Sequence, residues 1–583
     1  MISSRQKPVR ALGLLAALLL IALSLAFMVP SASASTQPSP AASTKPSPSS
    51  SAKPSPSNSA KPSPSPSASA ESEAPDLDEL TPVVSKAGFT HPGVFDSLDN
   101  LTITKQHVLA GDAPWADSFT QLSRSEHVTR KAPDFKRFGS AKAPDPTKKT
   151  CSTKDRGGCI TVCGSFNKDP NVGCDDQRAD SRAVNALALM YWYTGDEKYA
   201  QRAVAILNGY AKHFAGNTGS NGPLMSAWMA SQMVRGAELL RYTYTPTSSK
   251  HQFDVDGFSK MLRTRIVPTL TDFDYGRLNG NWKLSATEGL MNVGVFLDDR
   301  GLYNKALKMW RERVESYVYL STDGELPTAP ENAAKMYRTP TDLRCQWLAG
   351  RADACQNEPK SDPGVRFQNG QNQESCRDFG HASMGLGGII NTAETAWIQG
   401  DDLYGEQQPR IVAGVLYTVQ IAQNYSSRGW PAGFCAGSDD LSENLSLVEL
   451  PVNTVFNAYS IRKGVKLPAI SIPGYPAPTT GSDPLGDFIA NDERTTGYVG
   501  NVTSWDDLTH HLASVPYTPR KTDADDKRDA EVTPSPSPTP SASADSGVDL
   551  LRVGTSVFAI IGLVATLWVL YRIGTWLVSR RRE

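Results

Sequence analysis

Histidine is scarce in this chain, with 8 in 583 residues, so any histidine set among other polar groups is a candidate for proton transfer. A surplus of charge of either sign is also missing. The 59 Lys and Arg balance the 60 Asp and Glu to a net −1, which removes the electrostatic case for nucleic acid. The basic run from Lys131 to Lys149 reads as a solvated surface that could also attract a polyanion. No C-x-x-C occurs, and neither Cys159 nor Cys163 has a histidine at finger spacing, which argues against zinc. Apolar runs long enough to matter for a membrane are confined to the two ends, and convincing strands are few before Val465.

The ends predict export and a tether. Arg5, Lys7 and Arg10 precede apolar Ala11–Met28 and an Ala32-Ser33-Ala34 cleavage site, so residues 1–34 read as a secretory signal. Residues 35–75 are a Pro/Ser-rich linker with nothing to bury. A second such linker occupies 531–549, and 550–572 is apolar enough for one transmembrane helix. The basic tail 573–583, with Arg580, Arg581 and Arg582, places the C-terminus in the cytoplasm. The expectation is a large extracellular domain on a single-pass membrane anchor. All eight cysteines, Cys151 to Cys435, lie in the exported part, and an even count there favours disulfides. Cys345 and Cys355 are close enough to staple one loop; the other pairings stay open.

Between 76 and 478 the pattern is mostly helical. Apolar residues recur at helical spacing in Asp180–Trp192 and in Glu197–Phe214, separated by Thr194-Gly195-Asp196. Pro223 opens a helix reaching Tyr242. Trp282–Phe296 and Leu302–Val318 form a second hairpin, Gly385–Gly400 and Gln407–Tyr425 a third, and Leu445–Arg462 closes the series. Repeated antiparallel pairs predict an all-α-dominated α/α toroid with its chemistry in the loops at one end. Residues 479–530 read as a polar wrapping tail or small appendage.

The densest polar stretch is Gln373-Glu374-Ser375-Cys376-Arg377-Asp378-Phe379-Gly380-His381, before a small-residue helix. It reads either as a proton-transfer site or as a polar knot capping that helix. In Asn279-Gly280-Asn281-Trp282-Lys283-Leu284-Ser285, Asn281 could cap a helix or donate its amide to a carboxylate.

Several stretches together resemble the alginate lyase-like polysaccharide lyases of bacteria. They are Asn281-Trp282-Lys283-Leu284-Ser285, Val295-Phe296-Leu297-Asp298-Asp299-Arg300, Tyr319-Leu320-Ser321-Thr322-Asp323-Gly324, Asn171-Val172-Gly173-Cys174 with Tyr193-Thr194-Gly195-Asp196, Ser220-Asn221-Gly222-Pro223-Leu224, the run from Glu374 to His381, and Trp430-Pro431-Ala432-Gly433-Phe434-Cys435. The resemblance implies an α/α toroid that cleaves a uronic-acid polymer, alginate or glucuronan, by β-elimination without a metal or other cofactor. It implies Asn281 as the group neutralising the carboxylate and His381 as the base. Arg377 and Gln373 then orient His381 or bind the sugar acid, with Asn221 and Trp282 also on the substrate.

The chain departs from that pattern at the proton donor. Where relatives show Tyr-Asn-His-Tyr before Arg-x-Gly, this chain has Phe456-Asn457-Ala458-Tyr459 before Arg462-Lys463-Gly464. Tyr459 is the expected replacement acid, with Tyr425 and Tyr337 as alternatives. The departure also keeps open a non-catalytic scaffold that binds an anionic glycan or cell wall. A glycoside hydrolase would need two opposed carboxylates, for which Asp175, Asp176, Glu374 and Asp378 are available. The segment Glu325–Gln371 is long enough to form a lid.

Overall fold

A computed structural model describes residues 77–512, apart from 78, 155–156, 165–169, 275–279, 332–336, 338, 350–366, 430–434, 436–446, 448, 478, 480 and 491–498. These residues fall within one compact unit, Glu71–Glu583, and the other unit, Met1–Ala70, lies outside them. The expected signal, both linkers and the 550–572 span also lie outside the described residues. Among the described residues no helix is long and apolar enough to cross a membrane.

Sixteen α-helices are described: α1 Leu98–Ala110, α2 Trp115–Arg124, α3 Cys174–Thr194, α4 Glu197–His213, α5 Gly222–Thr243, α6 Val255–Met261, α7 Val267–Asp272, α8 Gly280–Phe296, α9 Arg300–Val314, α10 Pro340–Ala349, α11 Phe379–Ile398, α12 Leu403–Glu406, α13 Gln408–Arg428, α14 Val452–Phe456, α15 Pro484–Ala490 and α16 Asp506–Thr509. The punctuation read from the sequence sets their ends. Gly195 closes α3 in the left-handed region, at φ 68°, and the Asp196 carboxylate caps α4 by accepting from Lys198 N–H. Asp299 does the same for α9.

The helices divide into two layers. Every residue of α8 from Leu284 to Phe296 is buried, and α5 and α11 are almost as completely enclosed. A helix apolar or small on all sides belongs inside. By contrast α4 buries one stripe, Ala200, Ala203, Val204, Ile206, Leu207 and Tyr210, against α3. The inner helices pack in sequence, α3 on α5, α5 on α8, α8 on α11 and α11 on α14. The circuit closes through α16 and α2 back to α3. Helices α4, α7, α9 and α13 lie outside it, each against an inner neighbour.

The closing segment is wired in by polar contacts. Glu449 accepts from the backbone N–H groups of Asn501, Val502 and Thr503. The Val502 carbonyl accepts from Arg235 of α5 and Asn391 of α11, both at 3.0 Å. Residues Val502–His511 are almost wholly buried, so this part of the polar tail belongs to the core.

A small sheet, not expected from the sequence, sits beside α3 and α5. Strands β1 Val83–Val84 and β2 Thr90–His91 form a separate pair. In the larger sheet β4 Cys159–Cys163 pairs with β3 Gly139–Ser140, β5 Asn171–Val172 and, in parallel, β6 Phe214–Thr218. Disulfides Cys151–Cys159 and Cys163–Cys174 pin both ends of β4. A third, Cys376–Cys435, joins the polar stretch to the loop after α13. Cys345 is also disulfide-bonded, while its expected partner Cys355 lies outside the described residues.

Candidate active site

The Gln373–His381 stretch does two jobs at once. Its first half caps helix α8 from a distance. Gln373 Oε1 accepts from Gly280 N–H at 2.8 Å, and Glu374 Oε2 accepts from Asn281 N–H at 3.1 Å. These are two of the N-terminal amides that a helix cannot satisfy internally. Its second half caps α11 and carries the titratable pair. Asp378 is the N-cap, with Oδ1 accepting from His381 N–H at 2.8 Å. Its other oxygen, Oδ2, lies 2.6 Å from Nδ1 of the same histidine.

That contact fixes the imidazole chemistry. A carboxylate at Nδ1 holds the proton there and leaves Nε2 as the basic nitrogen. Nε2 has no protein partner among the described residues, and the His381 side chain is 31% exposed, so the ring is open to a substrate. Burial pushes the Asp378 carboxyl up, but the hydrogen bonds from His381 and the Arg377 charge outweigh it and hold it below the usual carboxylate range. The orienting partner of His381 is therefore Asp378. Arg377 and Gln373 bond Glu374 and the start of α8 instead.

Arg377 is anchored on one side only. Its Nη1 donates to Glu374 Oε1 at 2.9 Å and its Nε lies 3.8 Å from Asp378 Oδ2, with a third of the side chain exposed. Glu374 is fully buried and accepts from Arg377, Asn281 N–H and the Tyr317 hydroxyl at 3.2 Å. Tyr317, which sequence reading did not single out, is wedged between α8 and α11. A Cβ added at Gly280 or at Gly385 would lie 2.1 Å from its ring or hydroxyl. Burial, then the Glu374 charge, raise the Tyr317 phenol well above its usual range, so it stays protonated and serves as a brace.

Asn281 is fully buried and does not cap its own helix. Its Nδ2 points at Met384 Sδ, 3.7 Å away, and its Oδ1 has no partner. A thioether is a weak acceptor, so this amide is poorly satisfied and ready for a better one. Trp282 is partly buried and packs against the apolar cluster to which Trp228 and Met384 belong.

Two expected residues are elsewhere. Asn221 donates from Nδ2 to the Gly164 carbonyl and accepts nothing from this cluster; it ties the start of α5 to the end of β4. Tyr459 is fully buried and donates to the Tyr404 carbonyl at 3.0 Å. Tyr404 in turn bonds Ile390 and Glu394 in the C-terminal half of α11. At 1.5 Å per residue that is roughly 15–20 Å along the helix from His381. The geometry therefore does not bring Tyr459 to the imidazole. Tyr337 joins the polar stretch itself: its hydroxyl accepts from Gln373 Nε2 at 3.0 Å. Burial raises its phenol above the usual range, with Arg313 and the Gln373 hydrogen bond acting in the opposite sense.

Each carboxylate considered for a glycosidase is committed to an ion pair. Glu374 and Asp378 share Arg377, Asp175 pairs with Arg178, and Asp176 with Arg130 and Arg137. Among the described residues no group of three His, Cys, Asp or Glu is arranged to hold a metal.

Residues 118–337 match the family model described as alginate lyase. Over those residues the chain is alginate lyase-like. That match supports a polysaccharide lyase. No curated protein matches the chain. Among solved structures it is similar to an alginate lyase from Bacteroides ovatus, at 15% identity and TM-score 0.36, covering 63% of this chain and 92% of that one. It is also similar to alginate lyase A1-III from Sphingomonas species A1, at 14% identity and TM-score 0.34, covering 69% and 95%. A variant of A1-III complexed with a tetrasaccharide gives 15% identity, 61% and 82% coverage and TM-score 0.36. Within this alginate lyase-like chain the match includes Asn281, Tyr317 and Tyr337, and the His381–Asp378 pair follows it.

Proposed function

We propose that this protein is an extracellular, membrane-tethered lyase that cleaves a uronic-acid polymer, alginate or glucuronan, by β-elimination. The observation that carries the reading is the His381–Asp378 pair, with Nε2 open and the partly exposed Arg377 side chain beside it. The C5 proton of a uronate becomes acidic only when the adjacent carboxylate is neutralised. Arg377 and the under-satisfied Asn281 amide are suited to that work, an electrostatic contribution of several kcal/mol. His381 Nε2 then takes the C5 proton, the C4–O4 bond breaks, and the electron pair left on C5 forms the C4–C5 double bond. The departing O4 needs a proton. Tyr337, hydrogen-bonded to Gln373 at the same cluster, is the donor we assign in place of Tyr459. The tether rests on the apolar 550–572 segment and the arginines after it.

A second reading, a glycan-binding surface protein that has lost catalysis, is favoured by one observation. Phe456 stands where relatives carry a tyrosine, and Tyr459 is committed to the core.

The test is ultraviolet absorbance of the unsaturated uronide, with the purified full-length protein mixed separately with polymannuronate, polyguluronate and glucuronan. The expected result is a rise on one polymer that disappears in His381→Ala and Asn281→Ala. Binding without a rise on any of the three would establish the second reading.

A further inference from the structure

The basic run early in the chain takes no part in the chemistry assigned above, and the fold gathers it into one lobe. Residues 131–154 carry seven Lys and Arg against two Asp, in a chain whose net charge is −1. The remainder of the protein is therefore net acidic, and the lobe is where its positive charge is concentrated.

The lobe is held in place by its apolar residues and a disulfide. Phe135 and Phe138 are buried and pack on Tyr210 of α4, with ring centres 5.6 and 6.2 Å away. After β3 a short hairpin is closed by Ser140 N–H donating to the Lys149 carbonyl at 3.1 Å. Cys151–Cys159 then ties the next loop back to β4. Every lysine of the run is exposed: Lys131 and Lys136 before β3, Lys142, Lys148 and Lys149 on the hairpin, and Lys154 in the disulfide loop. Among the described residues only two cations of the run pair with a carboxylate, Lys148 with Asp145 and Arg137 with Asp176. Like charges fixed this close repel one another and attract an external polyanion.

The lobe stands at the same end of the molecule as the His381 cluster. Cys174 opens α3, Leu224 and Met225 lie in the first turn of α5, and Met384 follows His381 by one turn of α11. These residues share one apolar cluster, against which Trp282 at the start of α8 packs, so the inner helices begin together. Cys163, the last residue of β4, belongs to the same cluster. The first residue of β4, Cys159, lies roughly 13 Å further along the strand, and the lobe is bonded to it there. The lysines thus sit on the sheet, outside the ring of inner helices.

We infer that this lobe is an electrostatic docking surface for stretches of the acidic polymer that are not being cleaved. The inference rests on the uronate-polymer reading above, and it adds that long chains are captured on the outer sheet while one segment is at His381. Recognition here is by the density of carboxylates, without a fixed register. Lysine suits that task, because its ammonium is a point charge on a flexible stem. The lysines bind polymer and take no part in proton transfer.

The experiment uses the full-length wild type and two quadruple variants. The lobe variant is Lys131→Gln/Lys136→Gln/Lys142→Gln/Lys149→Gln. The control, Lys260→Gln/Lys305→Gln/Lys308→Gln/Lys466→Gln, removes the same charge from exposed positions elsewhere. Kinetics are measured on the preferred uronate polymer and on its trimer, at about 0.01 M and about 1 M salt, where charges are felt over roughly 30 and 3 Å. At low salt the lobe variant is expected to lose about tenfold in kcat/KM on the polymer, through KM, with the trimer and kcat unaffected. At high salt it is expected to match the wild type, and the control to stay near the wild type throughout. Wild-type kinetics in the lobe variant would leave the run a solvated surface. Equal losses in the two variants would assign the effect to net charge, and equal losses on polymer and trimer to damage at the site; each of these overturns the docking surface. If the wild type produces no unsaturated product from any uronate polymer, the reading of the preceding subsection fails instead. The lobe is then decided by equilibrium binding of the same polymers at low salt. Affinity lost in the lobe variant and kept in the control upholds it; equal affinities in all three proteins, or equal losses in both variants, reject it.

Discussion

His381 and Asp378 share one turn of helix α11, and Asp378 uses both carboxylate oxygens on that one residue, Oδ1 on its backbone N–H and Oδ2 on its ring. The N-cap and the orienting group of the base are thus the same side chain. Asp378→Asn keeps a capping oxygen but loses the charge that holds the proton on Nδ1. It is expected to lower kcat on the preferred polymer about 10²–10⁴-fold, the range of general-base loss, with the fold intact. Steady-state kinetics alongside circular dichroism checks this. A similar kcat in Asp378→Asn and wild type would remove His381 from the base role.

Tyr337 and Tyr459 make opposite predictions. Tyr337→Phe is expected to lower kcat at least 10²-fold with little change in melting temperature. Tyr459→Phe removes one buried hydrogen bond to the Tyr404 carbonyl, so it costs about 1 kcal/mol of stability and leaves kcat close to wild type. Kinetics and thermal melts on the two variants decide the matter. A large kcat loss in Tyr459→Phe alone would return the acid role to that residue.

The long helices were legible because their periodicity and stop signals are local. Thr194-Gly195-Asp196 and Asp298-Asp299-Arg300 mark turns whatever the rest of the chain does. The small sheet was not legible, since β4 and β6 are five residues each and meet across about fifty residues of sequence. For the same reason the pattern could not show Gln373 and Glu374 capping a helix 93 residues away, nor Tyr317 filling the gap that Gly280 and Gly385 leave. Asp378 as the partner of His381 sits at a readable i,i+3 spacing, yet Arg377 and Gln373 drew the orienting role because three polar neighbours compete there in one dimension. Tyr459 was placed near the chemistry by alignment to Arg462-Lys463-Gly464. The fold instead spends it at the far half of α11, packed edge-on against Tyr404.

The disulfide Cys376–Cys435 should matter to the site more than to the fold's helices. It closes a span of 59 residues between the polar stretch and the loop after α13. Chain-entropy reasoning puts its contribution at about 4 kcal/mol. A Cys376→Ser/Cys435→Ser double variant is expected to melt lower and to lose activity at temperatures where its far-ultraviolet circular dichroism is still native. Coincident loss of activity and helicity would show that the bridge stabilises the whole domain without a particular hold on Glu374–His381.

Stability should fall as pH rises from about 4.5 to 7 because of Glu288. This carboxyl is fully buried on α8, and burial pushes it up to about 7 even though Arg235 pulls the other way through its charge and a 2.7 Å hydrogen bond. An unfolded glutamate titrates near 4.3, so between these values the native state binds more protons than the unfolded chain. The stabilisation present below the unfolded pKa is therefore lost as pH climbs through the folded one, an effect on the order of 3 kcal/mol for this group. Glu288→Gln keeps the shape and removes the titration. Denaturant melts at several pH values between 4.5 and 8 should show a falling wild-type stability across that window and a flatter profile in the variant. Parallel profiles would mean that Arg235 keeps Glu288 ionised throughout.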